Sequence, residues 1–185
     1  PVAAGPVLVT GATGSIGPSV VTALRAAGVP VRVLVRDAAS APAGTDACVG
    51  DLRDADAVAR AVAGCRGVVH LAAVVHQRGA EADAAQREVT DRAARALFAA
   101  AESAGCERVV FASSIAVYGP EGEFDEDSPV RPATAYAECK ATAEVDLAAR
   151  RTATGAPLGV TLRLATCYGP GAGGNVTAML EALRR

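Results

Sequence analysis

The feature that most constrains the fold is a glycine pattern close to the N-terminus. Gly11, Gly14 and Gly17 follow a short apolar run and precede a segment of helical periodicity. Strand, glycine turn and helix in that order are typical of a loop that binds a dinucleotide pyrophosphate, although such glycines also occur in unrelated α/β turns. The first glycine permits the tight turn, the second lets phosphates approach the backbone, and the third lets the helix pack on the strand. The helix N-terminus would then offer free N–H groups to the phosphates.

Short apolar runs alternate with helical segments along the rest of the chain. Such alternation predicts a parallel, doubly wound α/β sheet of the Rossmann type. Ligands of these sheets bind beyond the carboxyl ends of the strands. We predict strands at 7–10, 31–35, 47–50, 68–71, 108–112 and 160–164, and helices at 18–27, 54–62, 88–104, 136–150 and 176–185.

Composition narrows the class of protein. The 185 residues carry a formal net charge of −2, which gives no general attraction to nucleic acid or to an anionic membrane. No apolar run is long enough to cross a membrane, and the first residues lack the basic region of a signal peptide. We therefore expect a cytoplasmic protein with a small-molecule partner. Five dispersed cysteines share no C-x-x-C spacing, so no metal site is expected.

Two helical residues are candidates for proton transfer. Tyr136 and Lys140, the single lysine of the chain, are spaced i, i+4 and so share one helix face. A neighbouring ammonium favours a phenolate, so we expect Lys140 to lower the pKa of Tyr136 from its usual ~10. Tyr136 could then exchange a proton with a substrate oxygen, and Ser114, just past the fifth strand, could hydrogen-bond that oxygen. An ordinary exposed pair and a turn serine are the alternative interpretations.

Residues at the ends of the second and third strands bear on the choice of dinucleotide. An acid after the second strand usually binds the ribose 2′-OH of NAD, whereas an arginine suits the 2′-phosphate of NADP. Val35 stands at the usual acid position and Arg36 follows it, which favours NADP over NAD. Asp51 could accept a hydrogen bond from the adenine amino group or simply flank a helix. His70 is expected to be a core residue whose ring is hydrogen-bonded locally.

A set of motifs occurs in a fixed order over nearly the whole chain. Together they resemble the extended short-chain dehydrogenase/reductase family, in particular its epimerase/dehydratase group, and are most similar to nucleotide-sugar 4-ketoreductases and 4-epimerases. The resemblance implies hydride transfer between a nicotinamide and a sugar carbon, catalysed by Ser114, Tyr136 and Lys140. The motifs are the glycine pattern, Gly50-Asp51-Leu52, Val69-His70-Leu71-Ala72-Ala73, Ser113-Ser114 with Val117-Tyr118-Gly119, Tyr136-x-x-x-Lys140, Tyr168-Gly169-Pro170-Gly171 and Gly174-Asn175.

The same resemblance implies a set of binding residues and a domain layout. Residues 1–185 would form an NAD(P)-binding Rossmann domain, with 166–185 beginning the substrate-binding part, and a homodimer is expected. The substrate, a nucleotide sugar, would contact Ser114, Tyr136, Thr166 and Asn175. The cofactor would contact Gly11, Thr13, Gly14, Ser15, Ile16, Gly17, Arg36, Asp51, Leu52, Leu71, Ala72, Ala73, Val75, Tyr136, Lys140 and Leu164.

Three features depart from the family pattern. Ile115 and Ala116 replace the Asp-Glu pair of the sugar 4,6-dehydratases, which disfavours dehydration. Thr90 stands where the family has an asparagine early in the long helix, so one supporting hydrogen bond is left unassigned. Family members are longer, and we expect the lobe that encloses the sugar nucleotide to be missing after Arg185. Two other functions stay open: an NADP-dependent reductase of a non-sugar ketone, such as a steroid or flavonoid, and a non-catalytic dinucleotide-binding regulator.

Overall fold

Six parallel strands form one sheet in the order β3-β2-β1-β4-β5-β6. The computed structural model describes residues 5–74 and 79–169, together with Met179, Ala182 and Leu183. The strand order is that of a doubly wound dinucleotide-binding fold, so the predicted fold class is confirmed. The strands are β1 (Val7–Thr10), β2 (Val31–Val35), β3 (Asp46–Val49), β4 (Gly67–His70), β5 (Arg108–Ser114) and β6 (Gly159–Leu164).

Helices cover both faces of the sheet. They are α1 (Gly17–Ala26), α2 (Ala55–Val62), α3 (Ala80–Ala85), α4 (Ala94–Ser103) and α5 (Ala135–Ala149). Short 3₁₀ turns at Ala38–Ser40 and Ile115–Tyr118 follow β2 and β5. The helix predicted at 176–185 lies outside the described residues apart from the three named above. Within the described part of the chain, no helix combines the length and the apolar character needed to cross a membrane.

The long helix before β5 begins earlier than predicted. We expected it to start near residue 88, but helical structure begins at Ala80 after Gly79, whose φ of +100° favours glycine. The mostly polar sequence between residues 80 and 92 hides this start from an apolar-periodicity argument. A π-helical segment, Gln86–Ala93, joins α3 to α4. Thr90 of this segment accepts a hydrogen bond from the Val74 backbone N–H at 3.1 Å, which ties the helix to the loop after β4.

Successive side chains of the strands point to opposite faces of the sheet and belong to two apolar clusters. Parallel strands are buried on both faces, which is why β1 is apolar at successive positions. Leu8 packs on one face against Val58 of α2, Leu97 of α4 and Leu147 of α5. Val9 packs on the other face with Val21 of α1, Val33 and Val35. The packed helices leave the carboxyl ends of the strands open.

Local hydrogen bonds fix the ends of the helices that face this open edge. Pro18 lies in the first turn of α1, where its missing N–H has no intrahelical partner to lose. Asp54 caps α2, because its carboxylate accepts from the Asp56 N–H at 2.9 Å. Thr134 caps α5 through an acceptor bond from the Ala137 N–H at 3.2 Å. This last cap sets the start of the helix that carries Tyr136 and Lys140.

Candidate functional site

A cavity of about 1250 Å³ runs along the carboxyl ends of the strands. Every predicted site residue that the structure describes lines this cavity, whereas Val75 and Asn175 lie outside the described residues. The lining residues that the sequence predicted are Gly11, Thr13, Gly14, Ser15, Ile16, Gly17, Arg36, Asp51, Leu52, Leu71, Ala72, Ala73, Ser114, Tyr136, Lys140, Leu164 and Thr166.

The three glycines of the loop differ in what a side chain at each position would meet. Gly11 has φ of +72°, and a Cβ there would lie 2.6 Å from the Ala72 backbone nitrogen. A Cβ at Gly17 would overlap the Ala12 carbonyl oxygen, so this glycine allows α1 to lie close to the end of β1. A Cβ at Gly14 would have only the Gly11 carbonyl oxygen nearby, at 3.3 Å, although Gly14 lines the cavity. The loop therefore leaves open space above Gly14 beside the N-terminus of α1, which fits a phosphate group.

Asp51 lies at the far end of the cavity from the Tyr–Lys pair. Its carboxylate accepts from the Arg53 Nε at 2.9 Å and from Nη2 at 2.7 Å. These bonds, with a smaller contribution from Arg36, lower the pKa of Asp51 to about 2. Asp51 is therefore an ionised acceptor that already holds Arg53, a cavity residue that the sequence analysis did not identify.

The two charged residues after β2 have different surroundings. They are Arg36 and Asp37. Arg36 lines the cavity. Asp37 instead caps the 3₁₀ turn that follows, accepting from the Ala39 N–H at 3.0 Å. The side chain of Asp37 is therefore used within its own turn, whereas Arg36 is a wall residue of the cavity.

The predicted catalytic residues come together at the other end. Ser114 ends β5 and caps the following 3₁₀ turn, accepting from the Ala116 N–H at 3.2 Å. It also lies near the Tyr136 phenol, and both side chains line the cavity. The Lys140 Nζ donates to the Ala112 carbonyl oxygen at 2.7 Å and lies 4.5 Å from the centroid of the Phe111 ring. Ser114 is therefore a turn residue that also lines the cavity, and its hydrogen bond to a substrate oxygen stays a prediction.

The electrostatics of the pair differ from the prediction. Burial raises the pKa of Tyr136, and the polar Ser114 hydroxyl near it opposes this only in part. The expected lowering by Lys140 is wrong for the protein alone, because Nζ lies 5.8 Å from the Tyr136 ring centroid and is bonded to the backbone. Burial also lowers the pKa of Lys140 to about 8, while the carboxylate of Glu144 acts in the opposite direction.

His70 is a core residue, as predicted, but its ring is only partly hydrogen-bonded. Its Nδ1 lies 2.6 Å from the Thr10 hydroxyl. Its Nε2 has no partner among the described residues. The ring stacks on Phe111 and meets Phe98 edge-on, with both centroids at 5.6 Å. Burial lowers the pKa of His70 to about 3, so the imidazole is neutral at ordinary pH.

An ion pair behind the cavity escaped the sequence analysis. Glu144 and Arg163 are joined by a 2.7 Å contact, and the same two side chains hold Ser113 and Tyr118. The position of Glu144, four residues after Lys140, was a signal that the sequence offered. The position of Arg163 in an otherwise apolar strand was another. Their pairing depends on β6 lying beside β5, which no local pattern specifies. Within the described ranges, no group of three metal-binding side chains occurs.

The described cavity lies within a region that matches one protein family. The model of the NAD dependent epimerase/dehydratase family matches residues 7–185. The chain belongs to this family. The match begins at β1 and includes the glycine loop, the end of β5 and the Tyr–Lys helix, so the family assignment covers the whole described cavity.

A curated reductase and two solved structures that contain NAD are similar to this chain. The 3-diazoavenalumate denitrifying reductase of a Streptomyces species is 38% identical over 182 residues, which are 90% of this chain and 58% of the relative. MoeE5, solved with UDP-glucose and NAD, is 36% identical with a TM-score of 0.79, over 91% of this chain and 56% of that one. The UDP-glucose 4-epimerase of Thermus thermophilus, solved with NAD, is 34% identical with a TM-score of 0.71, over 85% and 54%.

The chain spans about half the length of the curated relatives it matches. The shared half contains the sheet and the cavity described above. The solved relatives named here contain NAD, and MoeE5 also contains a nucleotide sugar.

Proposed function

We propose that the protein catalyses NAD(P)-dependent hydride transfer on a nucleotide sugar, as a 4-keto-sugar reductase or a 4-epimerase. One observation carries this proposal: the glycine loop and the group Ser114, Tyr136 and Lys140 line one continuous cavity. A dinucleotide with its pyrophosphate at the glycine loop would extend towards this group, as expected for ligands of a doubly wound sheet.

The residues of the chain have distinct roles in this proposal. The bound dinucleotide supplies the hydride acceptor or donor. Tyr136, neutral because burial raises its pKa, donates a proton to the substrate oxygen during reduction, and the phenolate that remains takes a proton back during oxidation. Ser114 hydrogen-bonds the same oxygen and holds it beside the phenol. Lys140 lines the cavity one helical turn from Tyr136 and would hydrogen-bond the nicotinamide ribose of the bound dinucleotide.

We infer that the preferred dinucleotide is NADP. Arg36 lines the cavity after β2, and the neighbouring Asp37 is engaged in capping its own turn. A guanidinium suits a 2′-phosphate, whereas a ribose 2′-OH needs an acceptor at this position. The solved relatives that hold NAD represent the alternative.

The test of the catalytic proposal is Tyr136→Phe in the full-length protein. The phenyl ring keeps the packing of Tyr136 but cannot transfer a proton. We expect turnover to fall on the order of 100-fold or more, while calorimetry detects nearly unchanged dinucleotide affinity. Cofactor affinity in the same variant is the control for folding. Normal turnover by the variant would reject Tyr136 as the proton shuttle.

A second candidate is a reductase of a non-sugar ketone. The Streptomyces relative favours it, because its name specifies a reductase and no sugar. Mass spectrometry of the dinucleotide that co-purifies would separate the candidates. Retained NAD would favour an epimerase, whereas exchangeable NADP would favour a reductase, to be assayed with sugar and non-sugar ketones. Dinucleotide binding without turnover of any of these substrates would favour a regulator.

A further inference from the structure

The ion pair between Glu144 and Arg163 is buried at the carboxylate, whereas the Arg163 side chain is 25% exposed. Glu144 of α5 is 8% exposed. Arg163 of β6 donates to Glu144 Oε2 through Nη2 at 2.7 Å and through Nε at 3.1 Å. Glu144 would be a buried charge without compensation if Arg163 were removed, so this carboxylate depends on its partner.

Each member of the pair also holds a residue near Ser114. Ser113, the residue before it, donates its hydroxyl hydrogen to Glu144 Oε1. Tyr118, at the end of the 3₁₀ turn that Ser114 caps, accepts from Arg163 Nη1 at 2.8 Å. The guanidinium carbon of Arg163 lies 4.8 Å from the Tyr118 ring centroid. The backbone on both sides of Ser114 is therefore attached to one ion pair.

The same pair is linked to the other two catalytic residues through α5. Tyr136, Lys140 and Glu144 follow one another at intervals of four residues and share one face of this helix. A displacement of Glu144 would therefore change how this helix face lies against the end of β5. The Ser114 hydroxyl and the Tyr136 phenol belong to these two elements, so their separation depends on that contact.

We propose that Glu144 and Arg163 form a positioning ion pair that holds Ser114 against Tyr136 and supplies the negative charge that faces Lys140. The inference rests on the proposed hydride-transfer function. Neither residue lines the cavity, so the pair acts through Ser114 and Lys140. Lys140 therefore lies near a carboxylate whose charge is balanced by Arg163 and whose position is fixed by Arg163 and Ser113.

The groups around Lys140 determine how removal of the Glu144 charge should affect the pKa of this lysine. Glu144 and Cys139 of its own helix favour the ammonium, while burial opposes it. The neighbouring groups from the sheet are the neutral His70 of β4 and the Ala112 carbonyl oxygen of β5. Tyr136 lies one turn away on α5, and Arg163 of β6 reaches this region through Glu144. Removal of the Glu144 charge should therefore lower the pKa of Lys140 further.

The experiment compares Glu144→Gln with Asp146→Asn in the full-length protein. Asp146 lies on the same helix and pairs with Arg150 at 2.7 Å, away from the cavity, so it is a matched control. We expect Glu144→Gln to lower kcat roughly tenfold to a hundredfold, because small misplacements of catalytic groups have effects of this size. KM and dinucleotide affinity should change little. The alkaline limit of activity should move to lower pH, and Asp146→Asn should leave the pH profile unchanged.

Two further measurements keep the proposal falsifiable. Lysine-selective NMR of the protein without cofactor, with the signal assigned through Lys140→Met, should detect titration of Lys140 at lower pH in Glu144→Gln. Ser113→Ala, which keeps the ion pair, should lower kcat without moving this titration. It replaces Glu144→Gln in the kinetic test if that variant does not fold.

The outcomes separate this inference from the proposed function. A large loss of turnover in Tyr136→Phe with normal kcat in both Glu144→Gln and Ser113→Ala would overturn the positioning role alone. An unchanged Lys140 titration in folded Glu144→Gln would overturn its electrostatic part. Normal turnover in Tyr136→Phe would reject the proposed function itself.

Discussion

Replacement of Lys140 by methionine should change how the stability of the protein depends on pH. Lys140 is 1% exposed, and its pKa is lowered from 10.5 to about 8 in the folded protein. Between these two pH values the unfolded chain binds more protons at this position than the folded protein does. Raising the pH through this window therefore stabilises the folded state.

The size of the effect follows from the two pKa values. Each pKa unit corresponds to about 1.4 kcal/mol, so the full effect is about 3 kcal/mol. Between pH 7 and pH 9.5 the folded lysine loses its proton while the unfolded lysine keeps most of its own. The parent protein should gain about 2 kcal/mol over this interval from Lys140, and Lys140→Met should lack this gain.

The assay is chemical unfolding of both proteins at several pH values, compared as a difference. The buried thiols of Cys65, Cys106 and Cys139 have raised pKa values, which make the fold less stable as pH rises through the usual thiol range. This contribution is common to both proteins and cancels in the difference. Arg60→Met, which removes an exposed cation, should behave like the parent. Parallel stability curves for the parent and Lys140→Met would refute the reasoning.

Two more predictions concern Arg36 and the glycine loop. Arg36→Ala should weaken NADP binding by about tenfold or more through loss of a charge-assisted hydrogen bond, and it should leave NAD binding nearly unchanged. Calorimetry with both dinucleotides measures this, with Arg60→Ala as the control. Equal losses for the two dinucleotides would contradict a contact between Arg36 and the 2′-phosphate. Gly17→Ala should destabilise the fold by roughly 2 kcal/mol or more, because its Cβ overlaps the Ala12 carbonyl oxygen. Gly14→Ala should instead keep the stability and lose dinucleotide affinity, and the opposite ranking in thermal unfolding and binding would be evidence against the loop geometry.

Local patterns in the sequence were sufficient for the fold class and for most of the cavity. The apolar run of β1, the turn at Gly11 and the close packing at Gly17 are encoded within a few residues, and the structure has each of them. The Tyr136–Lys140 spacing likewise depends on one helix only. These features could be predicted because each needs a single element and its immediate neighbours.

Features that depend on several elements could not be predicted from the sequence. The Glu144–Arg163 pair requires α5 and β6 to meet. The pKa of Tyr136 was predicted in the wrong direction because spacing on a helix does not reveal burial or the bond from Lys140 to the Ala112 carbonyl. The early start of the long helix was missed because its first turns are polar on most sides.

The π-helical segment has a consequence for insertions and deletions in this part of the chain. Successive residues of an α-helix are about 100° apart around its axis, so a one-residue deletion between Thr90 and α4 would rotate all the preceding helix by that angle. The Thr90 hydroxyl, which now meets the Val74 N–H, would then face away from the loop after β4. The core packing of α4 would survive, because its apolar face lies beyond the deletion. Length variation at Gln86–Ala93 would therefore displace Gln86 and Val89, which form part of one wall of the cavity.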